Sequence, residues 1–352
     1  MSFSSFIVQL LNGLAGASSL FLVGAGLSLI FGVTRIVNFA HGSFFMVGIY
    51  VAYSLVAKLG TGLGFWPALL LAAVVVGALG ALVEVVLLRR IYKAPELFQL
   101  LATFALVLVI KDAALWFWGP EELLGPRAPG LSGSVNILGR QFPSYDLFLI
   151  VVGPVVLGLL WLLLTRTRWG TLVRAATQDR EMVSALGVNQ AWLFTAVFAL
   201  GAMLAGLGGA LQLPREPANL EMDLHIIGSA FVVVVVGGMG SIPGAFVAAL
   251  LISEIKAVCI WLGLVNVFGL EVSFSKLTLV AEFVVMAIVL VVRPWGLMGK
   301  QQAASRAMGE AEMPIRPADK LFLTGVAVLA LALLVLPPAS SGSPYVVVLV
   351  ID

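Results

Sequence analysis

Ile226-Ile-Gly-Ser-Ala-Phe-Val-Val-Val-Val-Val-Gly-Gly-Met-Gly-Ser-Ile-Pro-Gly244 is the stretch on which the fold of this chain turns. Its apolar run, 226–240, has 15 residues. As a helix that is about 22 Å, too short to cross the roughly 30 Å of hydrocarbon in a bilayer. Gly237, Gly238, Gly240 and Pro243 then break it, because glycine and proline at this density do not continue a helix. A second run, 243–262, follows at once. The two read as a broken pair, either two crossings or a re-entrant hairpin. Irregular backbone at that depth is tolerated only where protein or water covers it, so the pair is expected to face a bundle interior.

Outward from this break, apolar runs recur at 6–31, 36–57, 66–88, 97–118, 147–164, 190–213, 278–295 and 320–336. Most are close to the ~20 residues that a membrane helix needs, whereas barrel strands would alternate over ~10 residues. Composition agrees: of 352 residues 61% are hydrophobic and 11% charged, and a soluble domain of that size needs far more polar surface. The expected fold is all-α, a polytopic membrane helix bundle with about nine segments in 1–299 and a tenth near 320–336. The 37 glycines suit close helix packing, and Gly201, Ala205 and Gly209 form a small-xxx-small row. A net charge of +2 gives no argument for nucleic acid. The single cysteine, Cys259, excludes an internal disulfide and a zinc cluster. The first residues lack the basic n-region of a cleaved signal peptide.

Orientation follows from Lys and Arg in short loops. One face collects Arg35, Arg89, Arg90, Lys93, Arg166 and eight more as far as Lys320, making 13 of the 20 basic residues. That face is expected to be cytoplasmic, which puts the N-terminus outside and residue 300 inside. Residues 119–146, with Pro120, Pro126, Pro129 and Pro143, read as an external loop, and 165–189 as a cytoplasmic one. In the latter, Asp179 is placed to cap a helix, with Glu181 in its first turn. Met182, Val183 and Leu186 fall on one side, and Gly187 with Val188 forms a Schellman-like stop. A helix so short needs something to pack against: lipid headgroups or a cytoplasmic partner.

Asn38-Phe-Ala-His-Gly-Ser43 opens the second segment. On a helix Asn38 and His41 would share a face, serving either an interhelical hydrogen bond or a transport pathway. Gly237–Gly244 is not a phosphate loop, since no lysine follows the last glycine. Glu84 is expected to snorkel toward Arg89-Arg90, and Lys111 and Asp112 to neutralise each other. These acids and bases, with Glu254, Lys256 and Glu282, also admit an ion relay. The two histidines, His41 and His225, lie in different segments, so the clustered catalytic set that a membrane-embedded enzyme would need is not visible.

Four stretches resemble bacterial branched-chain amino-acid ABC importer permeases, of the first permease subunit type: Gly26–Gly42, Ala230–Ala245, Arg174–Gly187 and Arg293-Pro-Trp-Gly-Leu-Met-Gly299. The resemblance implies the transmembrane permease subunit of a binding-protein-dependent ABC importer for branched-chain or other apolar amino acids, in a bacterial plasma (inner) membrane. It implies as partners a second permease subunit or domain, two cytoplasmic ATPase subunits and an extracytoplasmic substrate-binding protein. ATP and Mg would be bound by the ATPases, with no cofactor in this chain. The coupling loop is then Arg174, Asp179, Glu181, Met182, Val183, Leu186 and Gly187. The translocation pathway is Asn38, His41, Gly42, Ser43, Gly237, Gly238, Gly240 and Pro243. Ser43 stands where the family often has an acid, and Ala176-Thr177 varies a position often Thr-Ala. Urea and short-amide permeases share the fold, and an ion-coupled secondary transporter is the alternative from another class. Phe39 favours the amino-acid branch. The permease domain is expected to be 1–299, with 300–319 a cytoplasmic linker. Residues 320–352 resemble the start of a second permease, so the chain reads as the first half of a fused double permease.

Overall fold

The computed structural model describes residues 3–92, 94–267, 270–299, 324–325 and 327–328, with side chains except at 180–181 and 265–272. The chain divides into two units, 1–300 and 301–352. In the second, Thr324, Gly325, Ala327 and Val328 are helical, and the rest of the expected tenth run and linker lies outside the described residues.

The first unit is a helix bundle. Its elements are α1 (Phe3–Thr34), α2 (His41–Leu59), α3 (Phe65–Val83), α4 (Arg89–Ile91), α5 (Glu96–Trp118) and α6 (Ser144–Arg166). There follow α7 (Arg168–Gln178), α8 (Arg180–Ala185), α9 (Gln190–Ala210), α10 (Met222–Gly237), α11 (Ile242–Leu262) and α12 (Thr278–Val292). A π-helical turn, Glu84–Leu88, joins α3 to α4 in one rod. Among the described residues eight helices are long and apolar enough to cross a membrane, and α10 is a shorter apolar one.

Packing follows side-chain size. α1 lies at the centre against α6, α9, α10 and α11, and α9 packs on α1, α2 and α3. The small-residue row makes this possible. Gly201 sits against Gly26 and Ile30 of α1, Gly209 against the backbone of Phe45 in α2, and Gly206 against Val76 of α3. Helices approach this closely in lipid only where side chains are small. By contrast α5, α6 and α12 turn Leu, Val, Phe and Trp outward, among them Phe98, Trp116, Leu159 and Phe283. In water such a belt would be costly; in hydrocarbon it is the solvent-matched surface.

The break after α10 is a tight hairpin. Gly237 and Gly244 meet backbone to backbone, and Gly238 and Gly240 take φ of +99° and +83°, a region closed to most residues with a Cβ. Ser241 caps α11 by accepting from the Gly244 N–H at 3.1 Å, and Pro243 follows in the first turn, where its missing N–H does no harm. The segment after α12 doubles back onto this turn. Leu297 N donates to Val236 O (2.7 Å) and Met298 N to Gly237 O (3.1 Å), so two of the carbonyls that end α10 find partners.

The sequence reading needs correction at several points. Residues 119–146 contain a β-hairpin, Ser134–Ile137 with Arg140–Pro143, and Leu123 pairs with Ala218 across the bundle end. A second hairpin, Leu264–Val267 with Leu270–Ser273, joins α11 to the 3-10 turn before α12. Residues 165–189 hold two helices rather than one. Lys111 and Asp112 make no ion pair with each other among the described residues, because consecutive residues on α5 point about 100° apart. Glu84 does not snorkel: it is fully buried, and Arg89 folds back to it at 3.0 Å.

Candidate functional site

Three side-chain caps shape the chain between α6 and α9. Thr167 accepts from Gly170 N (3.0 Å), Asp179 from Met182 N (2.9 Å) and Asn189 from Trp192 N (3.1 Å). Each stops one helix from running into the next. α8 then ends in a full Schellman pattern: Gly187, at φ +81°, donates to Ser184 O (2.9 Å), and Val188 donates to Val183 O (3.4 Å). The expected apolar stripe is split. Val183 is 5% exposed and packs inward, while Met182 and Leu186 are 59% and 76% exposed. At i, i+4 spacing these two form one outward knob; Arg174 of α7 is exposed. Glu181 lies in α8, its side chain outside the description.

The other expected site residues lie deep in the bundle. Asn38 is not on a helix: it precedes α2 in a turn, accepting from Ala40 N (3.1 Å) through its side chain and from His41 N (3.3 Å) through its carbonyl. It therefore does not share a helical face with His41. The cause is Arg35, whose φ of +58° ends α1 and leaves 35–40 as a connecting turn. His41 Nε2 donates to Val23 O of α1 at 3.0 Å, an interhelical hydrogen bond. Both residues are fully buried, and Asn38 Nδ2 and His41 Nδ1 have no partner among the described residues. Gly42 abuts the Asp223 carbonyl, and Ser43 Oγ donates to Asp223 Oδ2 at 3.4 Å. Gly237, Gly238, Gly240 and Pro243 form the hairpin described above.

Near the end of the bundle that holds the N-terminus is a cavity of about 700 Å³. Polar walls come from Gln9, Asn12 and Ser19 of α1, the connector residues Gln212, Arg215, Glu216 and Asn219, and His225, Ser229, Ser253 and Lys256 of α10 and α11. Leu20, Phe45, Met222, Ile226 and Ile260 are its apolar share. Arg215 Nε meets Asp146 Oδ1 at 2.9 Å, and Lys256 Nζ meets Glu282 Oε2 at 2.6 Å. Sequence reading missed this cavity. Its signal is a few polar residues scattered within several apolar runs, and only the packing of α1 on α10 and α11 brings them together.

A second buried polar knot sits at the opposite end, where α3 meets α9. Glu84 accepts from Arg89 (3.0 Å), Tyr92 OH (3.0 Å) and Thr195 Oγ1 (2.5 Å), and Arg89 also donates to Thr195 (2.6 Å). The π-helical turn begins at Glu84 itself, at the site where helix irregularity most often marks function.

The described residues thus form a multi-pass helix bundle with no room for side chains at its α10–α11 hairpin and a capped knob outside it. The chain belongs to the family of branched-chain amino acid transport system permease components, which matches residues 9–293. It is 29% identical over 308 residues to the high-affinity branched-chain amino acid permease protein BraD of Pseudomonas aeruginosa, covering 84% of this chain and 97% of BraD. It is 30% identical over 291 residues to a probable LivH permease of Methanocaldococcus jannaschii, covering 80% and 88%. A LivM permease of Salmonella typhimurium matches at 27% over 253 residues, covering 66% of this chain and 59% of LivM. Among solved structures, PsaBC of Streptococcus pneumoniae in complex with Fab aligns with a TM-score of 0.36 and 14% identity, over 82% of this chain and 90% of that one.

Proposed function

We propose that this chain is the transmembrane permease of an ATP-driven, binding-protein-dependent importer of branched-chain or other apolar amino acids. Membership of the permease family supports the transport role. The observation that carries the ATP dependence is the Met182–Leu186 knob, two large apolar side chains 59% and 76% exposed on a helix capped at both ends. α8 has six residues and would not stand alone in water, so its exposed apolar pair is suited to a groove in a soluble ATPase. Two such ATPases, a second permease and an external binding protein complete the assembly, in a bacterial inner membrane with the N-terminus outside. ATP and Mg belong to the ATPases. ATP binding there would shift inward- and outward-facing states through their different contacts with α8.

In this reading Asn38, His41, Gly42, Ser43 and the Gly237–Pro243 hairpin flank the pathway. The support is two buried polar atoms without partners, Asn38 Nδ2 and His41 Nδ1, an arrangement that native structures seldom leave unrelieved in every state. The test is uptake of radiolabelled leucine into proteoliposomes holding both permeases, the ATPases and the binding protein. Uptake is expected to require ATP and to survive collapse of ion gradients. Uptake that ignores ATP but stops when the gradient is dissipated refutes the proposal in favour of an ion-coupled carrier.

A further inference from the structure

Lys256 stands between a buried acid and the cavity. Its Nζ is 2.6 Å from Glu282 Oε2 and donates to Ser229 Oγ at 2.8 Å, while Ser229 donates to the same carboxylate oxygen at 3.0 Å. The Glu282 side chain is 1% exposed, so its charge is balanced locally and stays out of contact with any solute. An ammonium carries three N–H donors. Two are used, and Lys256 lines the cavity. Ser19 and Gln212 line it too, on residues 2% and 6% exposed, with Ser19 Oγ and Gln212 Oε1 themselves buried and without a hydrogen-bond partner among the described residues. Opposite chemistry is therefore gathered in one space: a cation with a spare donor, the exposed acid Glu216, and an apolar wall of Leu20, Phe45, Ile226 and Ile260.

We infer that Lys256 is a specificity residue that reads the carboxylate of an apolar amino acid passing through this cavity. This rests on the amino-acid reading above and names the site where it is enforced. The solute's carboxylate takes the third Lys256 N–H. Glu216 on the lining faces its ammonium, and the solute's side chain lies on the apolar wall. Glu282 and Ser229 hold the lysine in place, so the cation is presented without having to be ordered by the solute. Arg215 is the competing cation on the lining, and its Nε is engaged by Asp146 at 2.9 Å.

The experiment uses the assembled transporter in proteoliposomes, without ATP, carrying Asn12→Cys as a reporter on the cavity wall and Cys259→Ala to remove the native thiol. Millimolar leucine is expected to slow labelling by a small methanethiosulfonate reagent. Leucinamide, which lacks the negative charge, should need roughly tenfold more, the usual size of one charge-assisted hydrogen bond. Lys256→Met should bring leucine down to the level of leucinamide, and Lys256→Arg should keep the preference. If Lys256→Met fails to assemble because Glu282 is left unpaired, Lys256→Met with Glu282→Met removes both charges, a change that buried pairs often tolerate, and it too should lose the preference. No protection by leucine, equal protection by both compounds in the parent, or a preference that survives Lys256→Met overturns the inference. So does a preference that is lost with Arg215→Gln and kept with Lys256→Met. ATP-dependent uptake is scored separately. A parent that imports leucine but shows no preference loses only this inference, and one that shows the preference but imports nothing loses only the import reading.

Discussion

Leu186 is the side chain on which coupling is most exposed to attack. Three-quarters of its surface is free, and it makes no contribution to the bundle core. Leu186→Asp is therefore expected to leave folding and membrane insertion intact, and to put a charge where the ATPase groove is apolar. ATP hydrolysis should continue while leucine uptake falls at least tenfold. Normal uptake at normal expression would count squarely against the docking role of α8. Gly187→Val acts differently, since a β-branched residue at φ +81° costs about 1–2 kcal/mol and loosens the end of α8 itself. Residue-level reading of the sequence did well here. Asp179, Gly187 and Val188 take the roles their chemistry assigns, because caps are local and depend on neighbours within a few positions. It did badly for Asn38, Lys111 and Glu84. A helical-face argument presumes the helix has begun, and α2 begins at His41. Whether an acid snorkels depends on what another helix offers, and Thr195 lies 111 positions away from Glu84.

The joint of α3 with α9 makes an asymmetric prediction for the two elements. Glu84 is wholly buried and Arg89 has 38% of its side chain exposed. Removing Arg89 leaves a carboxylate in the bundle with hydroxyl partners alone. Removing the charge of Glu84 leaves a guanidinium that can turn to water. Arg89→Met is thus expected to destabilise by about 3 kcal/mol and Glu84→Gln by about 1–2 kcal/mol, read as the order of melting temperatures of the purified complex in detergent. The reverse order would mean that Arg89 serves the surface rather than the joint. At this scale the spans were legible, since run length and apolarity are properties of single segments. The two β-hairpins were not, as each lies in a connection between spans whose strand pairing a helical period does not report. α7 was missed because the polar residues of 165–178 were read as a loop, although Thr167 caps its start as Asp179 caps α8.

For the molecule as a whole, the cavity and α8 should lie on opposite sides of the membrane. With the N-terminus outside, a membrane-impermeant thiol reagent added to intact cells is expected to modify Asn219→Cys and to spare Met182→Cys, in a Cys259→Ala background. Inverted vesicles should exchange the two results. Labelling of both from one side would refute the orientation drawn from the distribution of Lys and Arg. That distribution is a whole-chain property and was readable, while the cavity, also a whole-chain property, was not. Charge bias survives as a sum over loops, but a cavity exists only after α1, α10 and α11 have packed.

The strap from Arg293 to Gly299 has a consequence for manufacture. Its amides at Leu297 and Met298 serve the carbonyls of Val236 and Gly237, which left the ribosome some sixty residues earlier. At about 5–20 residues per second, the glycine hairpin spends several seconds of its birth with those carbonyls unserved. Within residues 1–299 the latch is the last piece to be made, and a nascent chain that stalls before Gly299 stays unlatched.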